Sequence, residues 1–151
     1  MNPQQWTPRL LLVEDNPGDV RLMQEALQAC GQRLHLDVAT DGDMALAMLF
    51  GDNGYESLLR PDLILLDLNL PRRNGIEVLQ TIKQTPELCC TPVLVLSSSE
   101  SQHDIQAAYR ACANGYLVKP VELNDYFSMM ERLCSFWFGH ARTPRAHNCA
   151  E

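Results

Sequence analysis

The chain has 151 residues, a length that suits one compact domain and leaves little room for a second. Its 12 Lys and Arg residues stand against 19 Asp and Glu residues, which gives a net charge of −7. Proteins that hold nucleic acid through its phosphates usually present a basic face, so we expect no direct nucleic-acid binding. The sequence shows no recognisable signal peptide and no apolar stretch of membrane-spanning length, and we expect a cytoplasmic protein without membrane contact.

Short apolar runs of strand length alternate along the chain with stretches of helical periodicity. The predicted strands are Arg9–Val13, Leu34–Ala39, Asp62–Asp67, Pro92–Ser97 and Gly115–Val118. The first predicted helix begins at Pro17 and ends at Gly31, and the others span about Asp43–Phe50, Gly75–Gln84, Gln102–Cys112 and Leu123–Phe138. The third and fourth strands are continuously apolar, which is typical of parallel strands buried on both faces. Five strands alternating with five helices predict a parallel sheet covered on both faces, with right-handed crossovers.

The predicted domain spans residues 9–138, with short tails at 1–8 and 139–151. The stretch Gly51–Arg60 is a longer loop than such a fold requires. About a dozen residues follow the last helix, too few for an output domain, so we expect the protein to act through contact with other proteins.

Interior positions can be predicted for the fourth helix, where Ile105, Ala108, Tyr109 and Cys112 are expected to face inward. The six cysteines are Cys30, Cys89, Cys90, Cys112, Cys134 and Cys149. They form no Cys-x-x-Cys pair and lack the spacing of zinc ligands. In a reducing cytoplasm we expect them to be small buried side chains or free surface thiols.

Polar side chains stand at the carboxyl ends of four predicted strands. Glu14 and Asp15 follow the first strand, Asp67 ends the third, Ser97 ends the fourth, and Lys119 follows the fifth. Ligands of an open parallel sheet gather beyond the carboxyl ends of its strands. Three carboxylates, a hydroxyl and an ammonium group are therefore expected to converge on one edge of the sheet.

Such a cluster has a definite chemistry. Neighbouring carboxylates repel one another and raise one another's proton affinity, and a hard divalent cation relieves that repulsion. Mg²⁺ is often held by only one or two carboxylates, with water and phosphate completing its octahedral shell. A carboxylate can attack phosphorus and become an acyl phosphate, while the metal and Lys119 would offset charge on the phosphoryl oxygens.

Five motifs in chain order resemble those of the receiver family of two-component response regulators. They are Leu11-Leu12-Val13-Glu14-Asp15-Asn16, Leu65-Leu66-Asp67-Leu68-Asn69-Leu70-Pro71, Asn74-Gly75, Pro92-Val93-Leu94-Val95-Leu96-Ser97 and Gly115-Tyr116-Leu117-Val118-Lys119-Pro120. The resemblance covers about residues 9–138. It implies an α/β fold: a doubly wound, five-stranded parallel sheet of order 2-1-3-4-5 flanked by five helices, as in flavodoxin-like receivers.

The resemblance also implies roles for individual residues. Asp67 stands at the position that accepts a phosphoryl group from a histidine kinase, and Lys119 at the position that pairs with that group. The implied ligands of Mg²⁺, for which Mn²⁺ or Ca²⁺ can substitute, are Asp15 and Asp67, Glu14 through a water molecule, and the backbone carbonyl of Asn69. Such a protein is a phosphoacceptor in a phosphorelay rather than an enzyme, and assists only its own phosphotransfer and dephosphorylation.

Two further positions match the family's switch residues. Ser97 stands where receivers have a switch hydroxyl, and Tyr116 where they have a switch aromatic, although ordinary core packing would equally account for Tyr116. By resemblance, the peptide bond between Lys119 and Pro120 would be cis.

A narrower similarity concerns the small regulators that partner bacterial phytochrome-type histidine kinases. It rests on Asn16–Leu22, the extended loop Gly51–Arg60, Asp67–Pro71 and Ser135–Trp137. It implies a sensor histidine kinase of that type as the upstream partner.

Two other functions share part of this pattern. Aspartate-nucleophile phosphatases also have Asp at a strand end, but they carry a second Asp two residues later as general acid, and here that position holds Asn69. A receiver-like module that is never phosphorylated would be expected to lack an acidic residue or the lysine, and none is missing.

The fifth predicted helix has an unusually wide apolar face. At about 100° per residue, the apolar side chains of residues 121–138 cover an arc of about 200°. They are Leu123, Tyr126, Phe127, Met129, Met130, Leu133, Cys134, Phe136, Trp137 and Phe138. A helix on one sheet needs a narrower stripe, so we expect a symmetric homodimer through this helix. Alternatively, the end of the chain folds back over these side chains within one monomer.

Overall fold

The structure is a computed structural model that describes residues 6–144. Its strands are β1 (Arg9–Val13), β2 (His35–Ala39), β3 (Leu63–Leu66), β4 (Val93–Ser97) and β5 (Gly115–Val118). Its helices are α1 (Pro17–Ala29), α2 (Gly42–Phe50), α3 (Gly75–Gln84), α4 (Gln102–Arg110) and α5 (Leu123–Cys134), followed by a π-helical segment (Ser135–His140). All five predicted strands are confirmed, each within one residue at either end.

The strands form one parallel sheet in the order β2-β1-β3-β4-β5, as predicted. Successive side chains of a strand point to opposite faces, so each apolar strand contributes to two cores. In β1, Leu11 and Val13 join the core under α2, α3 and α4, whereas Leu10 and Leu12 join the core under α1 and α5. The unbroken apolar runs of β3 and β4 are fully buried for this reason.

The helices begin at side-chain caps close to the strand ends. Asn16 caps α1 by accepting hydrogen bonds from the backbone N–H groups of Gly18 and Asp19 at 2.8 and 3.2 Å. Pro17 occupies the first position of that helix, where its missing N–H costs nothing. Because the cap immediately follows Asp15, the first turn of α1 lies beside the carboxyl end of β1.

The interior of α4 differs from the prediction. Ala108 and Ala111 are buried, whereas Tyr109 is 52% exposed. Cys112 lies beyond the end of the helix, exposed and with a left-handed φ of 70°. Tyr109 is one position, or about 100°, around the helix from Ala108, so it cannot share the inward direction that the small alanine takes.

Two other expectations about the backbone are wrong. The α-helix ends at Cys134 instead of Phe138 and continues as the π-helical segment, where Ala141 N–H donates to the carbonyl of Phe136 at 2.6 Å. Hydrophobic periodicity does not report such a wider turn. The Lys119–Pro120 bond is trans, since the described residues contain no cis peptide bond. The trans isomer is the intrinsically favoured one before proline.

The predicted tails lie partly outside the described residues, namely residues 1–5 and 145–151. Within the described part, Pro8 is buried and its carbonyl accepts a hydrogen bond from His35 N–H at 2.8 Å. The loop Gly51–Arg60 contains turns only, and Tyr55 and Leu58 pack from it onto the core under α2. Over residues 6–144, every helix is too short or too polar to cross a membrane.

Candidate functional site

Sheet register brings the predicted polar residues to one edge. Hydrogen bonding continues one residue beyond the strands: Glu14 N–H donates to Ala39, Asp67 N–H to Val13, and Lys119 N–H to Ser97, at 2.8 to 3.0 Å. The carboxyl ends of β1, β3, β4 and β5 are therefore level with one another. We call this region the carboxyl edge.

Lys119 is the centre of the carboxyl edge. Its ammonium group donates to Glu14 at 2.7 Å and to Asp19 and Asp67 at 3.2 Å each. Burial by itself lowers the pKa of Lys119, but the hydrogen bond to Glu14 and the charges of the neighbouring carboxylates raise it above its ordinary value. Lys119 thus stays a cation at every physiological pH.

Glu14 is a buried carboxylate whose pKa is shifted by this arrangement. Its side chain is almost fully buried, and burial raises its pKa to about 7 although Lys119 opposes the rise. The negative charge of Asp67 adds to the effect. Since a single ammonium is shared among three carboxylates, each receives less than full compensation.

Asp67 is held from two sides at the end of β3. One carboxylate oxygen accepts a hydrogen bond from Asn69 N–H at 3.1 Å, and the other contacts Lys119. The backbone behind it is packed closely against α3, because a Cβ at Gly75 would lie 2.5 Å from the carbonyl oxygen of Asp67. A glycine at this position is therefore required for α3 to support the end of β3.

Three carboxylates of the carboxyl edge form an acidic cluster. Glu14, Asp15 and Asp67 each offer an oxygen, and these oxygens lie within 4.8 Å of one another. Asp15 is exposed and the other two are buried. Hard oxygen donors at this spacing fit a divalent cation such as Mg²⁺, Mn²⁺ or Ca²⁺.

A hydroxyl network lies beside the acidic cluster. Ser97 is fully buried, and its Oγ accepts from Ser99 N–H at 3.1 Å. The hydroxyl of the half-buried Tyr116 donates to the carbonyl of Ser99 at 2.9 Å, and Ser99 Oγ donates to Asp104 in the first turn of α4. One loop residue, Ser99, thus connects Ser97, Tyr116 and α4.

The sequence reasoning missed Asp19, Ser99 and Asp104, because it considered only the ends of strands. Asp19 could have been found from the cap at Asn16. A residue in the first turn of a helix that starts directly at the carboxyl edge lies close to that edge. The remaining predicted residue, Asn69, is exposed two positions beyond Asp67, where its N–H binds the Asp67 carboxylate.

This fold and this edge define the class of protein. The family model for the response regulator receiver domain matches residues 10–131, so the chain belongs to the response regulator receiver family. It is a phosphoacceptor-type signalling protein of two-component systems, in which histidine kinases supply the phosphoryl group.

Among individual relatives, the chain is 44% identical to response regulator Rcp1 of Synechocystis sp. (strain ATCC 27184 / PCC 6803 / Kazusa) over 137 residues, 91% of this chain and 93% of that protein. The Mn²⁺-bound structure of Rcp1 superposes with a TM-score of 0.86 at 43% identity, covering 91% of this chain and 99% of the other. The structure of the phosphorylated cyanobacterial phytochrome response regulator RcpA superposes with a TM-score of 0.88 at 40% identity. The match covers 92% of this chain and 99% of the other.

Proposed function

We propose that Asp67 accepts the phosphoryl group. The observation that carries this proposal is the burial of Asp67 at the carboxyl edge with its carboxylate oriented by Asn69 N–H and Lys119. An oxygen of Asp67 forms a bond to phosphorus as the bond from phosphorus to the kinase histidine breaks, which gives an acyl phosphate. Lys119, already 3.2 Å from Asp67, then pairs with the phosphoryl oxygens.

The same proposal includes Mg²⁺ at the acidic cluster. Asp15 and Asp67 would be direct ligands, Glu14 a ligand through water, and Asn69 a ligand through its backbone carbonyl. Lys119 contacts Glu14, Asp19 and Asp67, and Asp15 adds a fourth carboxylate to the edge, so a divalent cation would relieve the excess negative charge. Bound there, the metal would neutralise charge on the phosphoryl oxygens. The Mn²⁺-bound form of the relative Rcp1 supports a divalent metal at such a site.

Switching would follow from the hydroxyl network. A phosphoryl group on Asp67 offers new acceptor oxygens to Ser97 Oγ. If Ser97 turns toward them, Ser99 moves with it, and Tyr116 and α4 are coupled to Ser99 by direct hydrogen bonds. The receiver, residues 9–138, would thus signal by protein contact through its changed α4 and β5 surface. The net charge of −7 agrees with a protein partner rather than nucleic acid.

We propose a phytochrome-type histidine kinase as the upstream partner and a second copy of the chain as a further one. The relative RcpA is a phytochrome response regulator, which supports the first. For the second, two largely exposed apolar side chains lie at opposite ends of this region: Leu123, the first residue of α5, at 58%, and Phe136, in the π-helical segment after α5, at 55%. A groove beside Phe136 is lined by the apolar side chains of Leu94, Leu117, Met129, Leu133, Phe136 and Trp137 and by the polar residues Asn114, Asp125, Ser128 and Arg132. We call this region the α5 surface.

The test of Asp67 uses the full chain with acetyl phosphate and Mg²⁺, followed by intact-mass spectrometry. Wild type should gain one phosphoryl group and Asp67→Asn none, because the amide keeps the shape but is not a nucleophile. Asp52→Asn, at an exposed carboxylate in the loop after α2, is the matched control and should label like wild type. Equal labelling of Asp67→Asn would overturn the assignment.

Two additional measurements test the metal requirement and the distinction from a phosphatase separately. Excess chelator should stop labelling, and undiminished labelling without divalent metal would contradict the metal site alone. Continuous release of phosphate from p-nitrophenyl phosphate would indicate a phosphatase, whereas a phosphoacceptor is labelled stoichiometrically without turnover.

A further inference from the structure

The β3–α3 loop, residues 67–74, carries both the proposed phosphoacceptor and the proposed backbone ligand at Asn69. Its first part is anchored to the core, because Leu68 and Leu70 on either side of Asn69 pack against the core under α2, α3 and α4. Its end is anchored at Gly75, whose N–H donates to the Leu68 carbonyl at 3.0 Å. Asn69 thus lies between two anchored points, and the path of the residues after Leu70 decides how tightly it is held.

The last part of the loop is docked on the start of α2. Arg73 Nε donates to Asp43 Oδ1 at 3.1 Å, and Arg72 Nε lies 3.7 Å from Asp41 Oδ2. Asp41 is also the N-cap residue of α2. The backbones approach closely as well, because a Cβ at Gly42 would collide with the carbonyl oxygen of Arg73. We call Asp41, Gly42 and Asp43 the α2 entrance.

The docked part of the loop has a strained backbone. Arg72 has a φ of 67°, in the left-handed region that residues with a side chain seldom adopt. Arg73 N–H donates to the Pro71 carbonyl at 2.8 Å, so the chain reverses its direction within three residues. A strained conformation persists only where its surroundings impose it. The contacts with the α2 entrance supply that constraint, and we expect the loop to relax when they are removed.

We propose that the α2 entrance is a positioning element for the divalent-metal site, with Arg73 and Asp43 as its positioning residues. The inference rests on the proposed function, in which the backbone carbonyl of Asn69 is a metal ligand. Mg²⁺ demands near-ideal octahedral geometry, so a ligand on a relaxed loop binds it less well than a ligand on a fixed one. Neither positioning residue contacts the metal, and both act through the loop that carries Asn69.

An electrostatic effect of the Arg73–Asp43 pair differs in sign from a positioning effect. Charge alone makes the loss of the Arg73 cation favour metal binding, and the loss of the Asp43 anion oppose it. If the pair positions the loop, either loss weakens metal binding. The two side chains are 43% and 53% exposed, so their ion pair adds little to folding stability and its removal should leave the chain folded.

The test measures the Mg²⁺ affinity of the full chain by isothermal titration calorimetry. Arg73→Gln and Asp43→Asn should each weaken binding by about tenfold, the lower end of the loss typical of groups that orient metal ligands. The exchanged pair, Asp43→Arg with Arg73→Asp, should recover part of the loss, because it restores an ion pair at unchanged net charge. Arg21→Gln is the matched control, which removes the guanidinium of the exposed ion pair with Glu25 and should not weaken binding.

A steric variant tests the backbone contact without changing any charge. Gly42→Ala adds a Cβ that must displace the Arg73 carbonyl, so this variant should also bind Mg²⁺ more weakly than wild type. Urea unfolding in chelator checks that each variant is folded without metal. The two charge variants keep the test decisive if Gly42→Ala does not fold.

The outcomes separate this inference from the proposed function. A wild-type chain that binds no Mg²⁺ would overturn the metal site itself, and the positioning role with it. If wild type binds Mg²⁺ but Arg73→Gln binds it equally well or more tightly, only the positioning role is overturned. Failure of the exchanged pair to recover any affinity would likewise remove the Arg73–Asp43 contact from that role.

Discussion

The carboxyl edge and the α5 surface both reverse the usual distribution of side chains, but in opposite directions. At the carboxyl edge, the charged residues Glu14 and Asp67 are only 3% and 7% exposed. At the α5 surface, the large apolar side chains of Leu123 and Phe136 are more than half exposed. Charged residues are seldom buried without partners, and large apolar side chains that cluster at a surface usually mark a contact.

The difference lies in where the compensation comes from. The buried carboxylates find a counter-charge within the same chain, since Lys119 contacts both Glu14 and Asp67. The ring of Phe136 meets that of the half-buried Trp137 edge-on, with centroids 5.4 Å apart, yet Phe136 remains 55% exposed. We therefore expect substitutions at the carboxyl edge to change folding stability, and substitutions at the α5 surface to change association.

The largest effect is expected for Lys119→Met. This change removes the ammonium and leaves two buried carboxylates without their counter-charge, which should lower the free energy of unfolding in chelator by about 3 kcal/mol. Urea unfolding measures it, and added Mg²⁺ should recover part of the loss. Arg21→Met removes an exposed ion pair with Glu25 within α1. This change should alter the free energy of unfolding by less than about 0.5 kcal/mol. Equal effects of the two variants would contradict the comparison.

An intermediate effect is expected for Phe136→Glu. A charge within the α5 surface should weaken the proposed dimer at least tenfold, or about 1.4 kcal/mol, while the monomer stays folded. Sedimentation at micromolar concentration measures the association. Phe50→Glu is the matched control, because Phe50 is 44% exposed at the end of α2 on the opposite face of the sheet. A wild-type monomer, with and without phosphodonor, would refute the dimer, and dissociation by Phe50→Glu would refute its location.

The smallest effect is expected for Ser99→Ala. The change removes the hydrogen bond to Asp104 and keeps the backbone bonds to Ser97 and Tyr116, so stability should fall by about 1 kcal/mol. Ser98→Ala, at the exposed neighbouring hydroxyl, should be neutral within about 0.5 kcal/mol. Urea unfolding of both variants compares them, and hydrogen exchange at the Ser101 amide, which donates to Ser99 Oγ at 3.3 Å, should accelerate in Ser99→Ala only. Indistinguishable variants would remove Ser99 from the coupling between Ser97 and α4.

The sequence by itself determined the sheet and most of the carboxyl edge. Unbroken apolar runs that alternate with helical patterns are typical of parallel strands with helices on both faces, and parallel strands present their carboxyl ends on one side. The sequence therefore predicts that Glu14, Asp67 and Lys119 lie together, and in the structure Lys119 contacts both carboxylates. Strand boundaries were accurate for the same reason, since burial on both faces sets the length of each run.

Only the tertiary structure decided the contacts that arise between elements. Asp19 reaches Lys119 because the Asn16 cap starts α1 at the carboxyl edge, and Ser99 gains its partners from the path of one loop. Tyr109 points to solvent because α4 packs through Ala108. Periodicity gives the direction of a side chain relative to its own helix axis. The rotation of that helix on the sheet, and therefore the neighbour that each side chain meets, is set by packing across distant parts of the chain.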